Sequence, residues 1–402
     1  MDAIAPPPLT ARSAPAVRCL PGRLDSHAYT SVLGSDWQDG RGRREGVSRT
    51  AQLLMRPSIS ALRRALPPPL RRVLDAARAA AEAARAPLWA VGGPVRDLAA
   101  GLPVRDLDLV TPDPAAVAAT LARALDARAH VEPRFSTASL VGGPAEAPWR
   151  LDLAAPRTEH YVRPGALPAV HLGATIEADL ARRDFSVNAV ALPLTAAAGR
   201  GVLDPFSGLD DLAARRLRVL HADSFRDDAT RLWRAARFAA RLRLRPDAAT
   251  ARAIAEGQRW LDAISARRLW REFALVAAEP RAAAAVGLLD RWGILAAAHP
   301  ALVPTAEARA ALRRTRGALP APVLLALLLA PRAAAARAAA VARLGAPRDA
   351  ARAVEDAALL LALPATLPPS FATLEAAARS IPAARSAVRR LDPARRPLLA
   401  AL

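Results

Sequence analysis

The sequence GGPVRDLAAGLPVRDLDLVT, at residues 92–111, decides the fold. Its two glycines follow the apolar run LWAV (residues 88–91) and precede a short helical segment, a pattern typical of a strand, a tight turn and a helix. Backbone N–H groups at the start of a helix can face a phosphate, and Arg96, one turn into this helix, can reach the same anion. We therefore expect Gly92, Gly93 and Arg96 to contact a phosphate group.

The second half of this stretch places two aspartates on the next predicted strand. Asp106 and Asp108 are separated by one residue, so their side chains should project from one face of the strand. Two carboxylates held close together repel each other unless they share cations, and a pair of Mg²⁺ ions is the usual solution in phosphoryl transfer. We therefore predict that Asp106 and Asp108 are metal ligands with a catalytic role.

A third carboxylate lies on another predicted strand. Asp152 occurs in WRLDLAA, between Leu151 and Leu153, which should face the opposite side of the strand. An aspartate between buried apolar neighbours needs a partner, either a metal ion or an arginine. The sequence leaves both partners open, and we include Asp152 among the candidate catalytic residues.

The stretch DLARRDFSVNAVAL, at residues 179–192, contains the only asparagine of the chain, Asn188. Tyr161, shortly before it, is one of only two tyrosines. In a composition that is otherwise poor in these residues, both are candidates for a functional role. A helix cap or a position in the core is the ordinary alternative.

The stretch RDDATRLWRAARFAARL, at residues 226–242, has helical spacing. On one helix, Asp228 and Arg231 would lie on adjacent turns, and Arg234 and Arg237 would continue the same track. A carboxylate beside a guanidinium can bind the edge of a nucleobase, and further arginines on the track would face a triphosphate. The same pattern also fits a solvent-exposed helix stabilised by ion pairs three residues apart.

The charge of the chain favours a polyanionic partner. The 402 residues carry 57 basic side chains against 37 acidic ones, a net charge of +20, and every basic side chain except histidine is arginine. The guanidinium group is permanently charged and binds phosphate through two nitrogens. A chain rich in alanine, arginine and proline is also what a GC-rich coding sequence produces, so charge alone leaves a nucleic-acid partner open.

Cysteine content and hydropathy indicate a cytoplasmic protein. A single cysteine, Cys19, excludes a disulfide framework. No run approaches the roughly 18 to 20 apolar residues that span a bilayer, and the ten apolar residues at 321–330 predict a buried helix. Residues 1–54 have many turn formers and no periodicity, which predicts a disordered extension, or a start of translation at Met55.

The rest of the chain divides into a part with strands and a helical part. The short apolar runs LWAVGG, DLDLVT, ASLVGG and WRLDLAA predict strands, after a helical stretch at residues 59–86. After residue 223 nearly everything is alanine, leucine and arginine at helical spacing, broken by proline. This pattern predicts a strand-containing head followed by a long run of helices.

The ordered motifs GGPVRD, DLD, RTEHY, RRDFSVNA, DPFSGLDDL and DDATRLWRAARF resemble those of the class II tRNA nucleotidyltransferase and bacterial poly(A) polymerase family. The resemblance covers roughly residues 88–300, with weaker matches at SARRLWREF (residues 265–273) and LLDRWGIL (residues 288–295). It implies an α+β fold: a polymerase-β-like nucleotidyltransferase head with a small mixed sheet, followed by an all-helical neck, body and tail.

The resemblance also implies a division of the chain and the role of each segment. Residues 1–54 would be the extension, residues 55–222 the nucleotidyltransferase head, and residues 223–285 the neck with a base-recognition helix. Residues 286–402 would form a body and tail that bind RNA.

Carried over residue by residue, the resemblance makes Asp106 and Asp108 the Mg²⁺ ligands. It makes Arg183 and Asp184 contacts to the ribose and phosphates of the nucleotide. The full set of candidate nucleotide-binding residues is Gly92, Gly93, Arg96, Arg183, Asp184, Asn188, Asp228, Arg231, Arg234 and Arg237.

The same carry-over makes Asp228 and Arg231 a protein template that pairs with the incoming base. The family usually has glutamate where this chain has Asp227. The aspartate is one methylene shorter, so the expected role of this position in orienting Arg231 is in question.

The implied activity is template-independent addition of CCA, from CTP and ATP, to the 3′ end of tRNA by two-metal phosphoryl transfer. Addition of CC or A alone, and poly(A) addition, are alternatives within the family. The segment HVEPRFSTASLV, at residues 130–141, is closer to the tRNA-type stretch, so we favour CCA addition. A noncatalytic arginine-rich RNA-binding protein is the alternative from another class, and Arg96, Asp106 and Asp108 argue against it.

Overall fold

The computed structural model describes residues 56–144, 148–362, 382–395 and 399. The predicted extension at residues 1–54 and the candidate start at Met55 lie outside these residues. The predicted boundaries at residues 222 and 285 stay predictions.

Six strands form a mixed sheet in the head. In the order of the sheet they are β3 (Arg128–Glu132), β4 (Thr137–Gly142), β5 (Trp149–Ala154), β2 (Leu107–Val110), β1 (Trp89–Val91) and β8 (Ala191–Pro193). β2 and β5 are parallel, and the other neighbours are antiparallel. The four predicted strands are β1, β2, β4 and β5. β3 was not predicted because all of its residues are exposed, so it has no apolar alternation.

Helices and one hairpin complete the head. The helices are α1 (Ile59–Ala65), α2 (Pro68–Ala83), α3 (Gly93–Ala99), α4 (Pro114–Leu125), α5 (Ile176–Ala181) and α6 (Gly208–Ala213). The hairpin pairs β6 (Arg157–His160) with β7 (Ala169–Leu172). The predicted helical stretch at residues 59–86 forms α1 and α2, separated at Pro67. Proline has no N–H to donate and fits the first turn of a helix, so Pro68 begins α2.

The chain after the head is largely helical. Its helices are α7 (Ser224–Asp227), α8 (Thr230–Leu242), α9 (Ala248–Gly257), α10 (Ala266–Ala277), α11 (Ala282–Arg291), α12 (Ile294–Ala298), α13 (Ala306–Arg314), α14 (Ala321–Leu329), α15 (Ala334–Leu344), α16 (Arg348–Ala362) and α17 (Pro382–Leu391). The predicted α+β fold class is confirmed. One detail differs from an all-helical neck: β10 (Arg245–Pro246) pairs in parallel with β9 (Arg216–Leu217).

α14 is apolar on every side, as the run at residues 321–330 predicted. Residues 323–329 are all buried, and the helix lies inside the core of the helical part. In the described ranges, no helix is both long enough and apolar enough to cross a bilayer.

Aromatic packing joins the head to the helices that follow it. Phe185, from the RRDF stretch of the head, is fully buried and contacts Phe225 of α7 and Phe238 of α8, with ring centroids 6.5 and 6.0 Å apart. Burying an aromatic side chain of this size contributes roughly 1.5–3 kcal/mol. The RRDF stretch and α8 are therefore fixed against each other, with the polar residues between them held in one place.

Candidate active site

Polar side chains of the head and of the helices after it line one cavity of about 620 Å³. All of the predicted site residues except Asp152 belong to its lining: Gly92, Gly93, Arg96, Asp106, Asp108, Arg183, Asp184, Asn188, Asp228, Arg231, Arg234 and Arg237. The structure therefore brings together residues that are up to 145 positions apart in the chain.

The glycine turn between β1 and α3 approaches two other elements closely. Gly92 has a φ of +64°, a conformation that residues with a side chain rarely adopt. A Cβ atom there would lie 2.7 Å from Nη1 of Arg183, so the glycine leaves room for that guanidinium. A Cβ atom on Gly93 would lie 3.7 Å from Oδ2 of Asp108. The turn is therefore adjacent to both an arginine and the aspartate pair.

Asp106 and Asp108 lie at the start of β2. Asp108 is the second residue of the strand, and Asp106 directly precedes the strand and is exposed. Burial raises the pKa of Asp108 to about 6, and although Arg183 opposes this shift, the charges of Asp152 and Asp106 reinforce it. The positive charge around Asp108 is thus insufficient to balance its carboxylate, which is the electrostatic condition of a cation site.

Asp152 lies beside the aspartate pair but has its own partner. The parallel pairing of β5 with β2 puts Asp152 in register with Asp108. The Asp152 carboxylate accepts hydrogen bonds from Arg150 at 2.8–3.1 Å, and its side chain is 46% exposed. Of the two partners that the sequence left open, the structure contains the arginine. A catalytic role for Asp152 stays a prediction.

A chain of hydrogen bonds joins α3 to α8. Arg96 is buried and donates to the side-chain oxygen of Asn188, whose amide donates to Asp184 at 2.8 Å. Asp184 also accepts from Arg234 at 2.7 Å. Burial would raise the pKa of Asp184, but the surrounding donors, Arg234 first among them, lower it to about 2. The only asparagine of the chain therefore links a predicted phosphate ligand to α8.

Two acidic residues hold the arginines that precede Asp184. Asp179 is fully buried and accepts from Arg182 at 2.7 Å and from Arg183 at 3.0 Å. Glu159, on β6, accepts from Arg182 and from the hydroxyl of Tyr161. Sequence reasoning singled out Tyr161 but missed Asp179 and Glu159, although both lie inside motifs quoted above, DLARRDF and RTEHY.

The prediction that one helix carries both Asp228 and Arg231 is wrong for Asp228. α7 ends at the preceding residue, and Asp228 is extended, with φ −144° and ψ 98°. Aspartate is favoured before a helix because its carboxylate can accept from an N–H group that has no partner inside the helix. Asp228 Oδ1 accepts hydrogen bonds from the Thr230 amide at 3.0 Å and from the Thr230 hydroxyl at 2.7 Å. It also forms an ion pair with Arg268 at 2.7 Å.

Arg231 is oriented by groups that its motif did not indicate. It is buried, and its guanidinium donates to the hydroxyl of Ser224 at 2.8 Å and to the backbone carbonyl of Arg182 at 2.9 Å. Asp227, where the family has glutamate, lies 3.8 Å from His221. In this chain the Ser224 hydroxyl and the Arg182 carbonyl therefore hold Arg231 in place.

Arg237 was expected to extend the arginine track towards phosphates, but it is paired within the protein. It is buried and donates to Glu272 and to Glu279, both at 3.1 Å. Arg241, one turn further along α8, also pairs with Glu279, at 2.7 Å. Arg237 therefore attaches α8 to α10 and the residues after it, and its contact with a nucleotide stays a prediction.

Comparisons with known proteins find similarity in the part of the chain that contains the head. Residues 88–218 match the family model of the poly A polymerase head domain. An A-adding tRNA nucleotidyltransferase of Halalkalibacterium halodurans is 44% identical over 166 residues, 41% of this chain and 38% of the relative. A CC-adding tRNA nucleotidyltransferase of Deinococcus radiodurans is 41% identical over 206 residues, 50% of this chain and 53% of the relative. The chain thus spans about half the length of these relatives or less.

Solved structures extend the similarity of fold to the helical part. A Thermotoga maritima CCA-adding enzyme in complex with tRNA matches with a TM-score of 0.63 over 86% of this chain and 82% of that chain, at 22% identity. CCA-adding enzymes of this fold have also been solved with ATP and with CTP.

The mixed sheet, the glycine turn and the paired aspartates are the features expected of a polymerase-β-like nucleotidyltransferase head. The matched region contains all three of these features. Residues 88–218 are similar to the poly A polymerase head domain and to the tRNA nucleotidyltransferases above, the family that the ordered motifs resemble.

Proposed function

We propose that this protein is a template-independent nucleotidyltransferase that adds CCA, from CTP and ATP, to the 3′ end of tRNA. One observation carries the proposal: the carboxylates of Asp106 and Asp108, several arginines, and the candidate base-reading residues Asp228 and Arg231 line the same cavity. Its volume of about 620 Å³ lies within the range of small-molecule sites, which is roughly 300–1,000 Å³. The cavity can therefore accept a nucleoside triphosphate.

Asp106 and Asp108 would hold Mg²⁺. They offer the carboxylate oxygens that Mg²⁺ prefers, and the charge of Asp108 is incompletely balanced by the protein. Among the described residues, no three His, Cys, Asp or Glu side chains are grouped closely enough to hold a metal ion. Water and substrate phosphates would supply the other ligands, as is usual for Mg²⁺. Bound Mg²⁺ would supply positive charge to the reacting phosphate and favour ionisation of the RNA 3′-hydroxyl.

The side chains near the glycine turn would bind and orient the triphosphate. Arg96 and Arg183 are held by Asn188 and Asp179, so their guanidinium groups are positioned before the nucleotide arrives. The 3′-oxygen of the RNA would attack the α-phosphorus in line, the α–β bond would break, and pyrophosphate would leave while the hydroxyl proton passes to solvent. No covalent intermediate on the enzyme is required.

Asp228 and Arg231 would select the base. Cytosine and adenine both present an exocyclic amine beside a ring nitrogen acceptor, which suits a carboxylate beside a guanidinium. Uracil and guanine present the opposite order of donor and acceptor. A single Asp–Arg pair would therefore accept CTP and ATP and reject UTP and GTP.

The helices after the head would bind the tRNA. A second cavity, of about 650 Å³, lies between α13 and α17 and is lined by Arg314, Arg316, Arg385, Arg389 and Arg390. Such a cluster suits the phosphates of an RNA stem, whose deep major groove offers little readable sequence. Aromatic residues make up 4% of the chain, so base stacking would be a minor part of RNA binding. A tRNA substrate also fits the expected cytoplasmic location.

The number of nucleotides added is what an experiment must determine, since the relatives include A-adding and CC-adding enzymes. Transcripts of tRNA that end before CCA, after C and after CC would be incubated with each nucleotide, and their 3′ ends sequenced. CCA addition predicts CTP use on the first two transcripts and ATP use on the third. Use of ATP only after CC, of CTP only, or of ATP in long runs would replace the proposal by A addition, CC addition or poly(A) addition. No addition to any transcript would favour a noncatalytic RNA-binding protein.

A further inference from the structure

The carboxylate of Asp228 is held on one side only. Its Oδ1 accepts hydrogen bonds from the Thr230 amide and the Thr230 hydroxyl and forms an ion pair with Arg268. Among the described residues, Oδ2 accepts no hydrogen bond from a protein donor. Because Oδ1 is saturated, Oδ2 is the oxygen left for a ligand in the cavity that Asp228 lines.

Arg268 is the charged member of these donors, and it is fixed from a second side. It lies on the first turn of α10, pairs with Asp228 at 2.7 Å, and donates through its other amino group to the backbone carbonyl of Gly165 at 3.3 Å. Gly165 belongs to the loop between β6 and β7, which packs against the chain just before α10. A Cβ atom on Gly165 would lie 2.2 Å from the carbonyl oxygen of Ala263, so the loop can approach this closely only with glycine.

Resting on the proposed function, we propose that Arg268 is a positioning residue for nucleotide choice. Its guanidinium bridges the β6–β7 loop and Asp228, and thereby fixes the rotation of the carboxylate so that one defined oxygen faces the amine of cytosine or adenine. Without Arg268 the carboxylate loses its charged partner and can rotate, so the site can adapt to the wrong donor and acceptor order.

A matched control lies on the same helix. Arg271 also lines the cavity and is exposed, and it has no hydrogen bond to another described residue. Arg271→Gln therefore removes the same charge from the same cavity without touching Asp228. It should change the use of CTP and UTP in equal proportion, because only the general attraction for phosphate is reduced.

The test measures kcat/KM for CTP and for UTP on tRNA lacking CCA, in the wild type and in Arg268→Gln, Arg268→Lys and Arg271→Gln. Arg268→Gln should lower the preference for CTP about tenfold, in the lower part of the range for loss of a bidentate base contact. Arg268→Lys should recover part of it, because an ammonium group can pair with Asp228 but lacks the fork that also reaches Gly165. An unchanged CTP-to-UTP ratio in Arg268→Gln, or the same loss in Arg271→Gln, would overturn the proposal.

Two further measurements keep the proposal testable. If Arg268→Gln does not fold, Thr230→Val removes another Oδ1 donor and should lower the same ratio by a smaller factor; no change in either Thr230→Val or Arg268→Lys would overturn the proposal. If the wild type adds no nucleotide, the proposed function fails separately. In that case the dissociation constants of CTP and UTP would be measured by calorimetry without RNA. Arg268→Gln should lower the preference for CTP in binding, and an unchanged ratio of the two constants would overturn the proposal.

Discussion

Two carboxylates of the cavity, Asp108 near the glycine turn and Asp184 near α8, have pKa values shifted in opposite directions. Near the glycine turn, burial raises the pKa of Asp108 to about 6. The charges of Asp152 and Asp106 also raise this pKa, and the opposing effect of the neighbouring arginines is too small to cancel the shift. Near α8, the donors around Asp184 lower its pKa to about 2, although Asp184 is more deeply buried than Asp108. The protein therefore leaves negative charge unbalanced at the end where a cation is proposed to bind. It balances charge at the end where side chains have to keep a fixed shape.

The largest effect is expected from removing the unbalanced charge. Asp108→Asn should lower nucleotide addition on the order of 100- to 1,000-fold, the range for losing one preorganised electrostatic group. Its free energy of unfolding should stay the same or rise, because a neutral amide does not carry the burial cost of a carboxylate. Single-turnover rates and urea unfolding measure the two quantities. Addition within a few-fold of the wild type would contradict the metal-ligand role.

Asp184, whose charge is balanced by neighbouring donors, should in contrast contribute to the stability of the fold. Asp184→Asn removes the partner of Arg234 and should cost about 3 kcal/mol in the free energy of unfolding, at the low end for a broken buried pair because Arg234 is 36% exposed. Urea unfolding at pH 7 measures it. A loss below about 0.5 kcal/mol, the range of ordinary surface substitutions, would show that the network does not stabilise the fold.

The pH dependence of this difference follows from the lowered pKa of Asp184. A carboxylate whose pKa is lower in the folded state contributes stability above its unfolded pKa of about 3.9, and that contribution is lost as the pH falls towards the folded pKa. The difference between wild type and Asp184→Asn should be constant above about pH 5 and shrink as the pH approaches 2. A difference that grows on acidification would contradict the assignment.

Removing the carboxylate that is proposed to read the base should change the preference among nucleotides more than the rate of addition. Losing a bidentate base contact costs roughly 1 to 3 kcal/mol of discrimination, so Asp228→Ala should relax the preference for CTP over UTP by about tenfold to a hundredfold. Arg96→Ala, whose side chain is proposed to contact only phosphate, should slow all four nucleotides alike. Equal ratios of CTP to UTP use in wild type and Asp228→Ala would mean that the base is read elsewhere.

The smallest effect is expected from the hydroxyl behind Arg231. Ser224→Ala leaves one guanidinium donor without its buried acceptor, which costs roughly 1.5–3 kcal/mol for a charged hydrogen bond when no water replaces it. The preference for CTP over UTP should fall a few-fold, with a smaller change in the rate of CTP addition. Steady-state kinetics with both nucleotides measure it, and an intact preference would leave the Arg182 carbonyl as the sole group that orients Arg231.

The same comparison explains which parts of the site could be predicted from the sequence. The glycine turn and the aspartate pair lie within residues 92–108, and local pattern alone indicates a strand, a turn, a helix and a second strand there. Their placement beside Arg183 depends on glycine at position 92, which the motif already contained. Sequence reasoning works at this end because neighbours in space are also neighbours in the chain.

The other end depends on contacts between distant residues. Arg237 pairs with Glu272 and Glu279, 35 and 42 residues away, and Arg231 donates to a carbonyl 49 residues away. Helical spacing predicted that the arginines share one face of a helix. It contained no information on which acidic residues would pack against that face. The error at Asp228 has a local cause: helical spacing continues through an extended aspartate that lies between the end of α7 and the start of α8.

One competition experiment separates the proposed metal-binding role of Asp108 from the proposed base-reading role of Asp228. Wild type, Asp108→Asn and Asp228→Ala would each be incubated with tRNA lacking CCA and equal concentrations of CTP and UTP, and the 3′ ends sequenced. We expect C additions by the wild type, almost no additions by Asp108→Asn, and a mixture of C and U additions by Asp228→Ala. Efficient addition by Asp108→Asn, together with an unchanged C-to-U ratio in Asp228→Ala, would contradict the division of the cavity into a charge-unbalanced reacting end and a base-reading end.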